Sequence, residues 1–92
     1  MRAEKSMKIV NVLLSDRKGG LEQAFVNVSN ALVRLGYEVE AWIPEAAPYR
    51  EKLLEGVAVF PFSARGFYDV RAMFKARRRL KHLSPDLVIT HN

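Results

Sequence analysis

Four short apolar runs mark the chain, separated by stretches whose apolar residues recur at helical spacing. Met7 to Leu14 (MKIVNVLL) is nearly continuous in apolar residues and includes β-branched Ile9, Val10 and Val12, the pattern of a strand covered on both faces. A polar, turn-forming SDRKGG follows. Leu21, Phe25, Val28, Leu32 and Leu35 then recur at steps of four and three, with Ala24 and Ala31 widening the stripe. This predicts a helix with that face inward and Gly36 just past its end, where a left-handed backbone costs least. Tyr37 to Ile43 predicts a second strand, with Val39, Ala41 and Ile43 alternating with Glu38, Glu40 and Trp42 until Pro44 ends it.

After a loop, Pro48 opens a short helix with Leu53 and Leu54 inward and Gly56 as its stop. Val57 to Phe62 is a third strand; Pro61 belongs at or near its end because proline donates no ladder hydrogen bond. From Phe67 to Leu83 the helical period returns: Phe67, Val70, Met73, Phe74, Leu80 and Leu83 are expected to face the core, and the arginines and lysines to lie outside that stripe. Ser84-Pro85 breaks the helix, and Leu87, Val88 and Ile89 supply a fourth strand. Strands alternating with helix-length connections predict an α/β fold, a Rossmann-like three-layer parallel sheet with right-handed crossovers.

Composition narrows the function classes. Ninety-two residues, 49% apolar and 27% charged, fit one small folded domain. No apolar run approaches the roughly 20 residues that span a bilayer. Residues 1–6 are polar and read as a disordered extension rather than an export signal, leaving 7–92 as the folded unit. The absence of cysteine excludes a disulfide scaffold, thiol catalysis and a Cys-ligated zinc, and two histidines nine residues apart make no metal set. The expectation is a cytoplasmic protein with no metal and no cofactor.

Lys18-Gly19-Gly20 falls between the first strand and the first helix, at the carboxyl ends of the strands where open α/β sheets bind ligands. Two glycines remove Cβ obstruction, and the N–H groups of Leu21, Glu22 and Gln23 with the helix dipole suit a phosphate. The same pair also serves simply to turn the chain from strand to helix. There is no G-x-G-x-x-G and no Walker A sequence, which disfavours a dinucleotide or P-loop site. A receiver-like signalling domain fails as well, since only Asp16 stands near the end of the first strand where an acidic cluster is needed.

Taken together, MKIVNVLLSDRKGGLEQAFVNVSNALVRLGYEVEAWIP, a basic helix and SPDLVITHN resemble the beginning of a family 4 glycosyltransferase of the GT-B fold. Gly19-Gly20, Leu32, Leu35-Gly36-Tyr37-Glu38-Val39 and Pro85 to His91 hold the places of that family's Gly-Gly turn, its LxxxLxxxGHEV helix and its PDVVHAH-like strand. The resemblance covers Lys8 to Asn92. It implies a sheet order of 3-2-1-4 in part of a GT-B N-terminal domain. It also implies a retaining transferase that moves a sugar from a nucleotide diphosphate sugar to a glycan or lipid-linked acceptor. Gly19 and Gly20 would face the donor diphosphate, and Glu22 and His91 would line the acceptor side of the cleft. No residue here takes a catalytic assignment. Tyr37 and Thr90 stand where the family often has histidine, and the paired glutamates that grip the nucleotide belong to a second domain. The expectation is therefore a truncated half-domain, inactive alone. Its fourth strand becomes an edge and favours a homodimer, an association that sedimentation velocity measures directly.

The formal charge of +5 is local. Arg65 to His82 holds seven basic residues against Asp69, while the rest of the chain is slightly acidic. Arg71, Lys75, Arg78 and Arg79 fall on one side of the third helix, a candidate patch for an anionic membrane surface or a merely solvated face. Nucleic acid ranks below both, since aromatic residues are not interleaved with the cations. The alternative from another class is a small noncatalytic α/β module that docks to an anionic partner through this basic helix.

Overall fold

The apolar first run becomes the interior of the sheet. A computed structural model of the protein describes residues 7–13, 20–44, 48–63 and 69–91. The expectations for residues 1–6, Lys18, Gly19 and Phe67 lie outside them. The elements are β1 (Lys8–Leu13), α1 (Gly20–Arg34), β2 (Glu38–Ile43), a 3₁₀ turn (Pro48–Lys52), β3 (Ala58–Pro61), α2 (Val70–Leu83) and β4 (Leu87–His91). The four strands form one parallel sheet in the order β3-β2-β1-β4, as expected. The segment after Pro48 is a single 3₁₀ turn, followed by Leu53 and Leu54 packed against the core.

Each helix covers one face. Leu13, Val39, Ala41 and Ile43 pack with Phe25 and Val26 of α1, whereas Val10, Val12 and Trp42 pack with Ala72 of α2 and with Phe62. Alternate residues of β1 and β2 thus go to opposite helices, so both central strands are buried on both sides. The alternation in β2 looked like one polar face, yet Glu40 is only 8% exposed and Trp42 is 2% exposed, because α2 covers them.

The inward stripe of α1 differs from the expected one. Phe25, Val26 and Ser29 are buried and Leu32 and Val33 partly so, while Ala24, Ala31 and Leu35 are exposed. Leu35 falls past the last helical residue and points away from the core. A serine sits in the stripe because its hydroxyl has a buried partner on β1, which periodicity alone does not reveal. The helix ends as Gly36 predicted: with φ at 94°, its N–H donates to the Val33 carbonyl at 3.0 Å and the Tyr37 N–H donates to the Leu32 carbonyl at 3.1 Å.

On α2 the expectation is largely overturned. Val70, Met73 and Phe74 are more than half exposed, and the packed positions are Ala72, Ala76, Leu80 and Leu83. Small alanines let the helix approach a sheet surface already filled by Trp42, Phe60 and Phe62, whose rings pack at 5.1 Å centroid separation from Trp42. Arg79 does not stay outside this stripe: its guanidinium grips the Glu40 carboxylate from two nitrogens, with Nε–H donating to Oε2 at 3.1 Å. Trp42 Nε1–H donates to the same Oε2 at 2.9 Å. Asp69 caps α2 by accepting from the Ala72 N–H, and Ser84 ends it in a left-handed conformation.

Asp86 fixes the register of β4. Its carboxylate accepts from the Lys8 N–H at 2.8 Å, and its own N–H donates to the Lys8 carbonyl at 2.8 Å. Asn30 ties the β2–β3 connection to α1 by donating to the Lys52 carbonyl and accepting from the Leu54 N–H.

Removing one member of a buried ion pair leaves the other uncompensated. Arg79→Leu should therefore destabilise the protein by about 2–3 kcal/mol, less than for a fully buried pair because Arg79 keeps some solvent. The double variant Arg79→Leu/Glu40→Gln, which leaves an oxygen for Trp42, should be more stable than Arg79→Leu alone by about 1 kcal/mol in urea unfolding. A double variant no more stable than the single one would refute the burial cost assigned to Glu40.

Candidate functional site

The sheet changes direction between β1 and β4: β2 and β3 follow on one side of β1, and β4 lies on the other. In an open parallel sheet the crevice at the carboxyl ends of two such strands is where ligands bind. Gly20 begins α1 at that end, so the first backbone N–H groups of the helix open toward the crevice, while Gly19 lies outside the described residues. His91 is the last residue of β4, in register with Leu13 at the end of β1. Two of the expected crevice residues are thus brought to the same end of the sheet.

His91 is held from two sides. Its Nε2 lies 2.8 Å from Asn11 Oδ1, and its ring meets the edge of Phe25 at 5.5 Å in a near-perpendicular arrangement. Asn11 is fully buried on β1, and its amide nitrogen donates to Ser29 Oγ at 2.8 Å and to the Phe25 carbonyl at 3.3 Å. One side chain therefore links β1, α1 and β4. Glu22 stands one turn before Phe25, half-buried, and makes no hydrogen bond or ion pair among the described residues. Asn11 and Ser29 escaped the sequence reading. The signal was present: Asn11 is the one uncharged polar residue inside an apolar run, and Ser29 follows Phe25 by four.

A second feature lies on the other face. Phe60, Arg71, Phe74, Lys75, Arg78, Arg79 and His82 line an open groove of about 680 Å³. The four cations expected to act together do share it, but unequally. Arg79 is committed to Glu40, and that hydrogen bond holds its guanidinium further into the charged state. Lys75 Nζ donates to the Pro61 carbonyl at 2.9 Å, and both Lys75 and Arg79 sit 5.1 Å over the Phe60 ring. Arg71 and Arg78 have no hydrogen-bond or ion-pair partner among the described residues.

The site is thus a switch point of a Rossmann-like parallel sheet, with the helix that begins at Gly20 on one side and the strand that ends at His91 on the other. The model of Glycosyltransferase Family 4 matches residues 18–92, and the chain belongs to that family. No curated protein and no solved structure matches it. No helix among the described residues is long and apolar enough to cross a membrane.

Burial pushes the His91 imidazole below its ordinary value of about 6.5, so the neutral ring prevails at neutral pH. The unfolded chain then binds the extra proton first. The contribution of His91 to stability is complete above about pH 6.5 and falls away as pH drops through the lowered folded value. His91→Gln, whose amide still donates toward Asn11, should flatten that part of the stability profile in unfolding curves taken between neutral and mildly acidic pH. An unchanged slope would show that His91 does not titrate differently on folding.

Proposed function

We propose that this chain forms the acceptor-side region of a retaining glycosyltransferase that moves a sugar from a nucleotide diphosphate sugar to a glycan or lipid-linked acceptor. The observation that supports this is the crevice between β1 and β4, with the start of α1 on one side and His91 held on the other. Gly19 and Gly20 let the backbone approach the donor diphosphate closely. The leaving diphosphate gathers negative charge, which the N–H groups of Leu21, Glu22 and Gln23 and the helix dipole stabilise. Glu22 and His91 line the acceptor side, where a carboxylate and a neutral imidazole take hydrogen bonds from sugar hydroxyls. The paired glutamates that would grip the nucleotide are not in these residues, so this region alone meets only the diphosphate.

Pyrophosphate is the matching probe. Added at constant ionic strength, it should shift the backbone amide resonances of residues 20–23 in a saturable way, and Gly20→Val should weaken the response about tenfold or more. Shifts spread over the basic α2 instead, with residues 20–23 unmoved, would overturn the assignment of the glycine turn.

The groove on the opposite face favours a second, compatible role, contact with an anionic membrane through Arg71, Lys75, Arg78 and Arg79. Exposed Met73 and Phe74 beside the cations offer an apolar surface as well as charge. Since Arg71 and Arg78 are the uncommitted pair, Arg71→Gln/Arg78→Gln should reduce partition to phosphatidylserine vesicles about 30-fold, at about 1 kcal/mol for each cation. Equal flotation with neutral and anionic vesicles would remove this role.

A further inference from the structure

The network behind His91 carries more than support. We infer that Asn11 is a positioning residue that fixes the hydrogen of the His91 ring on Nε2 and leaves Nδ1 as the nitrogen offered to a ligand hydroxyl. The assignment follows from which groups can donate. Asn11 presents one end of its amide to the Phe25 carbonyl, which has no hydrogen to give, so that end must be the NH₂ group. Ser29 Oγ takes the second amide hydrogen. The oxygen end is then turned to β4, and it too has no hydrogen. Its 2.8 Å contact with His91 Nε2 is a hydrogen bond only if Nε2 carries the proton.

The chain of constraint begins on a helix backbone and ends on an imidazole. Phe25 and Ser29 are four residues apart on α1, one above the other, so the helix presents a carbonyl and a hydroxyl to the same amide. Asn11 is fully buried, and no water competes for its oxygen. In a neutral ring with Nε2–H, the unshared pair in the ring plane is on Nδ1. That atom has no partner among the described residues, and His91 is only half-buried. Among the described residues the groups in contact with the ring, Asn11 of β1 and Phe25 of α1, are uncharged, and the charged group of α1 nearest in sequence to Phe25, Glu22, makes no ion pair with it. The identity of the ligand, a hydroxyl of the sugar acceptor, rests on the proposed transferase reading; the position of the hydrogen does not.

The test is nitrogen-15 NMR of the histidine ring in the chain itself, with no sugar present. His91 should show a single Nε2–H form, with a ring proton that exchanges slowly enough to be observed. Asn11→Leu, in which Ser29 can turn its hydroxyl to the Phe25 carbonyl, should lose that proton signal and show both tautomers. Asn11→Asp keeps an oxygen acceptor but adds charge, and should raise the His91 titration midpoint by about 1–3 units. Ser29→Ala retains the Phe25 bond and should keep the tautomer. A hydrogen on Nδ1 in the unaltered protein, or a ring spectrum indifferent to Asn11→Leu and Asn11→Asp, overturns the inference. If Asn11→Leu does not fold, the unaltered protein and Asn11→Asp decide it. A normal tautomer with no pyrophosphate response would instead count against the transferase reading and leave this inference standing.

Discussion

A strand covered on both faces leaves no solvent for a polar side chain, and this constraint governs the two central strands of the sheet. β1 and β2 each carry one polar residue into the interior, on opposite faces: Asn11 toward α1 and Glu40 toward α2. A buried polar group without a partner costs about 1–3 kcal/mol, and an unpaired carboxylate more. Each is therefore matched from several directions, and each match joins elements far apart in the chain. Asn11 connects β1 to α1 and β4, while Glu40 connects β2 to α2. Apolar packing would tolerate small shifts of a helix over the sheet. These bonds do not, so they set where each helix lies.

The same constraint explains what could be read in the residues and what could not. The strands were legible because β-branched runs, prolines and turn residues mark them locally, and the end of α1 was legible because Gly36 alone relieves a left-handed backbone there. Helix faces were harder. Ser29 and Arg79 are polar and face inward, and Val70, Met73 and Phe74 are apolar and face outward, so hydropathy pointed the wrong way at the positions where tertiary partners decide. His91 could be placed at the crevice from the order of the elements, since a strand end is a topological position. Its partner Asn11 could not, because the two are 80 residues apart and only pairing of β1 with β4 brings them together.

The crevice inherits its geometry from the core in consequence. His91 belongs to β4, whose start is clamped to Lys8 by Asp86 and whose end is clamped to Asn11 through the imidazole. Both clamps anchor on β1, the strand that leads into α1. The two sides of the crevice are thus referred to one element, β1, which Asn11 ties to α1 as well as to β4. The charged groove on the far side uses a different logic. There Glu40 engages Arg79 and the Phe60 ring lies under Lys75 and Arg79, leaving Arg71 and Arg78 exposed and without a partner among the described residues.

The two borders of the sheet are unlike. β3 has only four residues and closes on Pro61, which offers no N–H, and Lys75 already occupies the Pro61 carbonyl. β4 has no such obstruction among the described residues, and Leu87 and Val88 remain about two-fifths exposed. The architecture is therefore directional. Among the described residues, a further strand would find a longer run of pairing groups beside β4 than beside β3, so growth of the sheet is favoured past the strand that carries the crevice histidine.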